Sequence, residues 1–252
     1  FLCGKGRNRM LKRNLNLIII SMFLFCTLFL YYTASPYNGI YYYRALYTLA
    51  DAYVYFLDPR VYGMLILPFV IILFTNLIKY DDEVNCLIRL GSVKRLVSRR
   101  MKKGILFSAI CTAFVMIVVT FISSLQTGTL INWGSESSIY LLKTEHSSNI
   151  GFIIVFIIAA VTLLIRNFFV CLWIIFLDLR LHNSIITFII LLSVVAFEMF
   201  QRIIPLFCNF LTIDYRMWNS MGIKAGYLLY IILTCIIYYV LMKQCIKKKE
   251  WI

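Results

Sequence analysis

The chain has 252 residues, of which 62% are hydrophobic and 14% are charged. Soluble globular domains are about 45–50% apolar, so this composition excludes that class and predicts an all-α integral membrane protein. The formal net charge of +14 raises nucleic acid as a partner, but the Lys and Arg residues mostly flank apolar segments, which argues against nucleic-acid binding and for a lipid bilayer.

Six apolar segments are long enough, or nearly so, to cross a bilayer as helices, for which about 17–25 residues suffice. The predicted spans are residues 15–32, 61–78, 104–125, 150–177, 184–200 and 225–242. With the N-terminus in the cytosol, most of the 25 Lys and Arg residues lie on the cytosolic side. The positive-inside rule therefore predicts one six-span domain, residues 1–252, in the cell membrane with both termini cytosolic.

The N-terminal segment has two interpretations. Basic residues from Lys5 to Arg13 followed by an apolar run are typical of a signal peptide. The run Leu15–Tyr32 has 18 residues, whereas the apolar part of a signal peptide has about 7–15. Because five further apolar segments follow, we expect a retained first span.

Two long loops are predicted on the outer side. In the first, polar residues recur at helical spacing and predict a short helix in the membrane interface, with simple anchoring favoured over contact with a substrate. These residues are Arg44, Thr48, Asp51, Tyr55 and Asp58. The second loop, residues 126–149, carries Trp133 as an interfacial anchor and otherwise has the composition of a plain connector.

The longest charged stretch, Lys79 to Gly104, follows span two, in which Pro68 predicts a kink. Its first half begins with acidic residues and places apolar residues on one face of a short helix. The residues singled out here are Asp82, Val84, Leu87, Ile88 and Arg89. Its second half repeats the pattern on the opposite side, which predicts a break at Gly91-Ser92. The first helix either couples to a cytosolic partner or lies on lipid headgroups.

Span four is unusually long and contains a cation. Its 28 residues extend about 42 Å as a helix, against a hydrocarbon core of about 30 Å. An intramembrane Arg such as Arg166 is by default a candidate functional residue that faces the protein interior. The alternative is that Arg166 reaches the cytosolic headgroups and the span ends early. The sequence leaves both interpretations open.

The fifth span ends near Glu198, and the apolar piece Ile203–Ile213 that follows is too short to cross the membrane. We expect a broken fifth span with a re-entrant or capping hairpin at the outer mouth. With Arg166, the candidate pore or gate residues are Glu198, Arg202 and Pro205. The spacing of Glu198 and Arg202 also fits a helical ion pair, which is the simpler interpretation.

Sequence motifs for catalysis are absent. Neither a G-x-x-x-x-G-K-[ST] phosphate loop nor an H-E-x-x-H zinc motif occurs. Of the eight cysteines, four lie in predicted spans, three in the reducing cytosol and only Cys208 outside, so we expect no structural disulfide. No C-x-x-C pair occurs, and His146 and His182 are predicted on opposite sides of the membrane, so we expect no metal site. We therefore do not expect the chain to be an enzyme or to hydrolyse ATP by itself.

Six spans, an amphipathic cytosolic element between spans two and three, and a broken fifth span together resemble type-2 ABC exporter permeases. The stretch Leu87–Ser92, followed by Arg95 and Arg99-Arg100, is similar to the inner loop of small permeases of this family. These permeases belong to Gram-positive bacterial exporters of peptides such as bacteriocins. The chain departs from the family before span one, where only Arg7–Asn14 is available for the usual longer connecting helix.

This resemblance implies a permease subunit that exports an amphipathic substrate, such as a peptide. A separate cytosolic ATPase would bind ATP and Mg²⁺ and dock through Asp82–Leu90, and a second permease, identical or sister, would complete the transporter. Two other functions stay open. One is a membrane immunity or binding protein that sequesters a toxin without an ATPase, and the other is a secondary transporter.

Overall fold

The computed structural model describes residues 22–28, 46–82, 92–125, 127–181, 183–201, 215 and 221–249. Within these residues the chain is helical, apart from turns, loops and an isolated bridge between Leu46 and Ser138. The helices are α1 Leu49–Phe56, α2 Pro59–Ile78, α3 Val93–Ser124, α4 Ile139–Thr144, α5 Phe152–Leu181, α6 Ser184–Gln201 and α7 Met221–Lys249. The predicted all-α fold class is confirmed.

Four of the described helices are long and apolar enough to cross a membrane: α2, α3, α5 and the Leu228–Lys247 part of α7. They correspond to predicted spans two, three, four and six, which makes the chain a membrane protein. Helix α6 coincides with span five and contains the shorter apolar stretch Ser184–Glu198. The first span is described only at residues 22–28, which are helical. The total of six spans therefore stays a prediction.

Helix α3 is longer than the third span that the sequence predicts. It begins at Val93 rather than at Gly104, and its N-cap Ser92 accepts a hydrogen bond from the Arg95 backbone N–H at 3.3 Å. No residue after Ser92 interrupts the helix, so the second half of the charged stretch and the third span form one continuous helix. Its 32 residues extend about 48 Å, so the basic first turns project beyond a hydrocarbon core of about 30 Å.

The irregularity expected at Pro68 takes the form of a π-helical turn over Tyr62–Ile66, directly before it. Proline has no N–H to donate, and its ring displaces the carbonyl four residues earlier, that of Met64. The wider π-helical turn accommodates both effects without interrupting α2.

Helices α3 and α5 form the centre of the bundle and have the most extensive helix–helix contact. They run antiparallel, and Gly104 permits their close approach: a Cβ atom there would lie 3.3 Å from Cβ of Cys171 and 3.5 Å from Cζ of Phe74. Helix α2 packs on α3, α5 and α6, whereas α7 packs on α5 and α3. Only 17% of the most apolar 18-residue stretch of α7, within Leu228–Lys247, is buried, less than in the other three candidate spans.

Helix α1 lies inside the protein, so the prediction of an interfacial helix is wrong. It packs on α3 and α5, and seven of its eight residues are buried. The backbone N–H groups of Leu49 and Ala50 donate to the carbonyls of Thr129 and Leu130 at 3.2 and 3.0 Å. The loop after α3 therefore covers α1, and its first-turn N–H groups find partners there.

That second loop is not a plain connector either. Trp133, expected at the membrane interface, is 1% exposed. Ser138 caps α4 by accepting a bond from the Leu141 backbone N–H at 3.2 Å. The loop therefore has a folded structure of its own, packed on α1.

Candidate functional site

Polar side chains from α2, α3 and α5 meet in the middle of the bundle. We call Tyr62, Thr112, Arg166 and Asn167 the mid-span network. Tyr62, Arg166 and Asn167 are fully buried and Thr112 is 5% exposed. Polar groups at this depth are costly unless they are hydrogen-bonded, so their partners determine how these helices pack.

Arg166 faces the protein interior. Its Nη1 donates to the carbonyl of Leu57 at 2.8 Å, and its guanidinium lies 4.7 Å from the centre of the Tyr62 ring. Leu57 is the C-cap of α1, where the helix dipole is negative and a cation is favourable. Helix α5 continues through Arg166. The alternative in which this side chain reaches the headgroups and the span ends there is therefore wrong.

Asn167 joins the three helices at the same level. Its Oδ1 accepts a hydrogen bond from the Tyr62 hydroxyl at 3.0 Å, and its Nδ2 donates to Oγ1 of Thr112 at 3.1 Å. In a membrane such bonds contribute about 0.6–2 kcal/mol each. The mid-span network therefore holds α2, α3 and α5 together while it holds α1 through Leu57.

A second buried polar group lies on the other side of α1. Each of the two carboxylate oxygens of Asp51 accepts two hydrogen bonds. Oδ2 accepts from the backbone N–H and the hydroxyl of Thr48 at 2.9 and 2.6 Å, and Oδ1 accepts from Nε1 of Trp133 and the hydroxyl of Tyr215 at 2.8 and 3.0 Å. Burial raises the pKa of Asp51 above its ordinary value, and these donors oppose the rise.

Aromatic rings surround this carboxylate. Trp133 stacks on Tyr140 with a centroid separation of 4.7 Å, and Tyr215 packs edge-on against both rings at 5.8 and 5.9 Å. Nζ of Lys143 lies 5.0 Å from the centre of the Tyr215 ring. We call Asp51, Trp133, Tyr140 and Tyr215 the aromatic end of the molecule. It joins three segments that are far apart in the chain.

Helix α1 is thus held from three directions. Arg166 binds its C-terminal end, the aromatic end binds its first turn, and the Tyr53 hydroxyl pairs with Oγ1 of Thr120 on α3 at 2.7 Å. Because α1 packs on both α3 and α5, it bridges these two helices at this end of the bundle.

The opposite end carries ion pairs. Nζ of Lys103 lies 2.8 Å from Oδ1 of Asp81, which also lies 3.3 Å from Nε of Arg99. Nη1 of Arg100 lies 2.9 Å from Oδ2 of Asp178. These five residues, which we call the basic end, join the end of α2 to the start of α3, and α3 to the end of α5. Asp81 and Arg100 are buried, but the side chains of Arg99 and Lys103 are 48% and 26% exposed, so the two pairs of Asp81 are only partly shielded from water and from salt.

The structure places some of the predicted site residues and not others. Asp82 ends the 3₁₀ turn Lys79–Asp82 after α2, and Glu198 is buried on α6. The remaining predicted residues, Val84, Leu87, Ile88, Arg89, Arg202 and Pro205, lie outside the described residues. The coupling role of residues 82–89 and the pore or gate roles of Arg166, Glu198, Arg202 and Pro205 stay predictions.

Sequence reasoning missed the buried partners of α1. Thr48 and Asp51 have the spacing of a capping box, which is a recognisable signal for the start of a helix. That spacing does not show that the carboxylate is buried or that Trp133 binds it.

No family model, curated protein or solved structure matches this chain. A functional assignment therefore rests on the residues of the chain itself.

Proposed function

We propose that the chain is the permease subunit of an ATP-driven ABC exporter, which moves an amphipathic substrate, such as a peptide, out of the cell. The observation that supports this proposal is the position of α5. At the basic end Asp178 pairs with Arg100 of α3, and at mid-span Arg166 binds α1. One helix therefore contacts both the end that would face an ATPase and the helix that would close the opposite mouth.

Residues 83–91 connect α2 to α3 and carry most of the coupling residues. The segment leaves the basic end after Asp82 and returns to it at Ser92. Because Asp81 pairs with Arg99 and Lys103, a partner that displaces this segment would move α2 and α3 together. The Arg100–Asp178 pair would pass the movement on to α5.

In this proposal α1 is the outer gate. A shift of α5 would displace the guanidinium of Arg166 from the Leu57 carbonyl. The C-terminal end of α1 would then lose its hydrogen bond to α5. Asp58 separates α1 from α2: it is extended (φ −53°, ψ 136°), its carboxylate caps α2 by accepting from the Arg60 backbone N–H, and the π-helical turn at Tyr62–Ile66 follows. π-Helical turns occur often at functional sites.

The proposal includes the partners that the family resemblance implies. A cytosolic ATPase binds ATP and Mg²⁺ and docks at the basic end, and a second permease, identical or sister, completes the pore. The basic end and both termini face the cytosol in the cell membrane, in accord with the positive-inside rule.

Co-purification tests the coupling role. We expect an affinity-tagged chain, extracted from its native membrane, to carry a stoichiometric ATPase. Changing Leu87 and Ile88 together to Ser should release the ATPase without lowering the abundance of the chain, because apolar anchors carry most of the energy of an interface. Arg89→Ala should release it partly, and more at high salt.

The matched control changes Leu130 and Leu142, which are 59% and 53% exposed in the loop at the other end, to Ser. This variant should retain the ATPase. If the Leu87/Ile88 variant also retained it, the coupling assignment would be wrong. If the wild-type chain carried no ATPase, an ATPase-independent immunity or binding protein would be favoured instead.

A further inference from the structure

An apolar cleft of 520 Å³ opens between α5, α6 and α7. Two residues of α5, four of α6 and four of α7 line it, and its polar side-chain groups are those of Trp173, Tyr230 and Thr234. Leu191 and Val195 form the floor, with 6% and 3% exposure, while Val194 and Leu233 form the rim, with 37% and 50%. The volume lies within the range of about 300–1,000 Å³ that is typical of small-molecule sites.

The cleft lies in the leaflet at the basic end. Trp173 precedes Asp178 by five residues, about 7.5 Å along α5. Its ring packs against Tyr238 of α7 at 6.5 Å, and Tyr230 lies eight residues, about 12 Å, farther from the basic end. The cleft therefore extends from the headgroup level of that leaflet toward the middle of the bilayer.

Hydrocarbon, rather than water, suits this space. A buried water needs about 2–4 polar partners, and seven of the ten lining residues are aliphatic. The long apolar helices α5 and α7 form two of its walls, so the molecules that meet its mouth in a membrane are lipids. An apolar fit alone would not favour one lipid over another, because lipid tails already lie in hydrocarbon.

Charge supplies the selectivity. On α5, Arg180 is exposed and follows the lining residue Leu177 by three residues, which places it about 4.5 Å beyond the cleft toward the basic end and on the same face of the helix as Trp173 and Leu177. Arg180 therefore lies at the level of the headgroups of the same leaflet. On α7, Lys243 is also exposed, but at about 100° per residue it lies on the opposite side of the helix from the residues that line the cleft.

We propose that this cleft binds one acyl chain of an anionic phospholipid, whose phosphate is held by Arg180. The chain lies along the floor formed by Leu191 and Val195, and Trp173 contacts it. The site does not depend on the exporter proposal, since it would bind lipid whether or not an ATPase is present.

Fluorescence quenching tests the site in detergent micelles that contain either phosphatidylglycerol or phosphatidylcholine with brominated acyl chains. The difference between the wild type and a Trp173→Phe variant gives the emission of Trp173. We expect phosphatidylglycerol to quench the Trp173 emission at a lower mole fraction than phosphatidylcholine does. The ratio should be roughly fivefold for one basic residue that binds the headgroup.

Changing Arg180 to Gln should make the two lipids equal, whereas changing Lys243, exposed on the side of α7 away from the cleft, to Gln should leave the preference. Val194→Phe should fill the cleft and reduce quenching by both lipids, and Ile189→Phe, at a site 55% exposed on α6, should not.

Three results would overturn the proposal. Equal quenching by the two lipids in the wild type would make the cleft ordinary lipid-facing surface. A preference that survives in the Arg180→Gln variant would place the headgroup elsewhere. Protection of Trp173 from both lipids would mean that protein, such as a second copy of the chain, covers the cleft.

Discussion

The bond from Arg166 to the Leu57 carbonyl lies inside the bundle, where water cannot replace it. Arg166→Leu removes this donor and the contact with the Tyr62 ring, which should cost about 1.5–3 kcal/mol of stability. Arg166→Lys keeps a charge and a donor but not the planar stacking, so its stability should lie between those of the wild type and Arg166→Leu. Thermal unfolding of the purified variants in detergent measures both effects.

Membrane abundance is the control for insertion and should be the same for all three proteins. We expect Arg166→Leu to impair transport, because α1 would lose its hydrogen bond to α5. Wild-type stability and transport in this variant would show that the bond is dispensable.

Asp51 makes stability depend on pH. Because burial raises its pKa, the folded protein binds a proton at this carboxyl more tightly than the unfolded chain does. The resulting stabilisation is present at low pH and is lost as the pH rises from the unfolded value of 3.8 through the raised folded pKa. Asp51→Asn cannot ionise and should lack this decrease, although its amide has a single acceptor oxygen, can keep only one of the two pairs of bonds and should lower stability overall.

Melting temperatures of the wild type and Asp51→Asn, compared from about pH 4 to about pH 7, measure this difference. The other titrating groups contribute equally to the pH dependence of both proteins, so their effect cancels in the comparison. Glu136→Gln, an exposed change in the loop after α3, should follow the wild type. The same pH dependence in wild type and Asp51→Asn would rule out Asp51 as its source.

The packing of α3 on α5 depends on the absence of a side chain at Gly104. Gly104→Val would press against Cβ of Cys171 and the Phe74 ring, and overpacking of this kind typically costs about 1–3 kcal/mol. Gly226→Val on α7 is the matched control, since a Cβ there meets nothing within 4 Å. Thermal unfolding should separate the two variants, and equal melting temperatures would mean that α5 shifts without cost.

The charge asymmetry predicts the orientation of the whole molecule, and cysteine labelling tests this prediction. In a background without the eight native cysteines, Ser137→Cys should react with an impermeant maleimide on intact cells. Ser98→Cys should react only after permeabilisation. Both serines are exposed, so an unreactive thiol reports the side of the membrane rather than burial. The reverse pattern would invert the topology.

Hydropathy and length by themselves determined that the chain is an all-α membrane protein, and they located the four long apolar helices of the described residues. This was possible because a spanning helix satisfies its backbone hydrogen bonds within its own segment, so local sequence is sufficient. The start of α3 at Val93 was missed for a related reason. Charge marks the edge of the membrane, but it does not end a helix.

Only the tertiary structure decided the position of α1, the burial of Trp133 and the direction of Arg166. Trp133 and Tyr215 bind Asp51 from 82 and 164 residues away in the sequence, and Arg166 binds Leu57 from 109 residues away. An amphipathic pattern is the same whether its polar face meets water, headgroups or buried donors. The side chains that distant segments bring to that face determine which of these it meets.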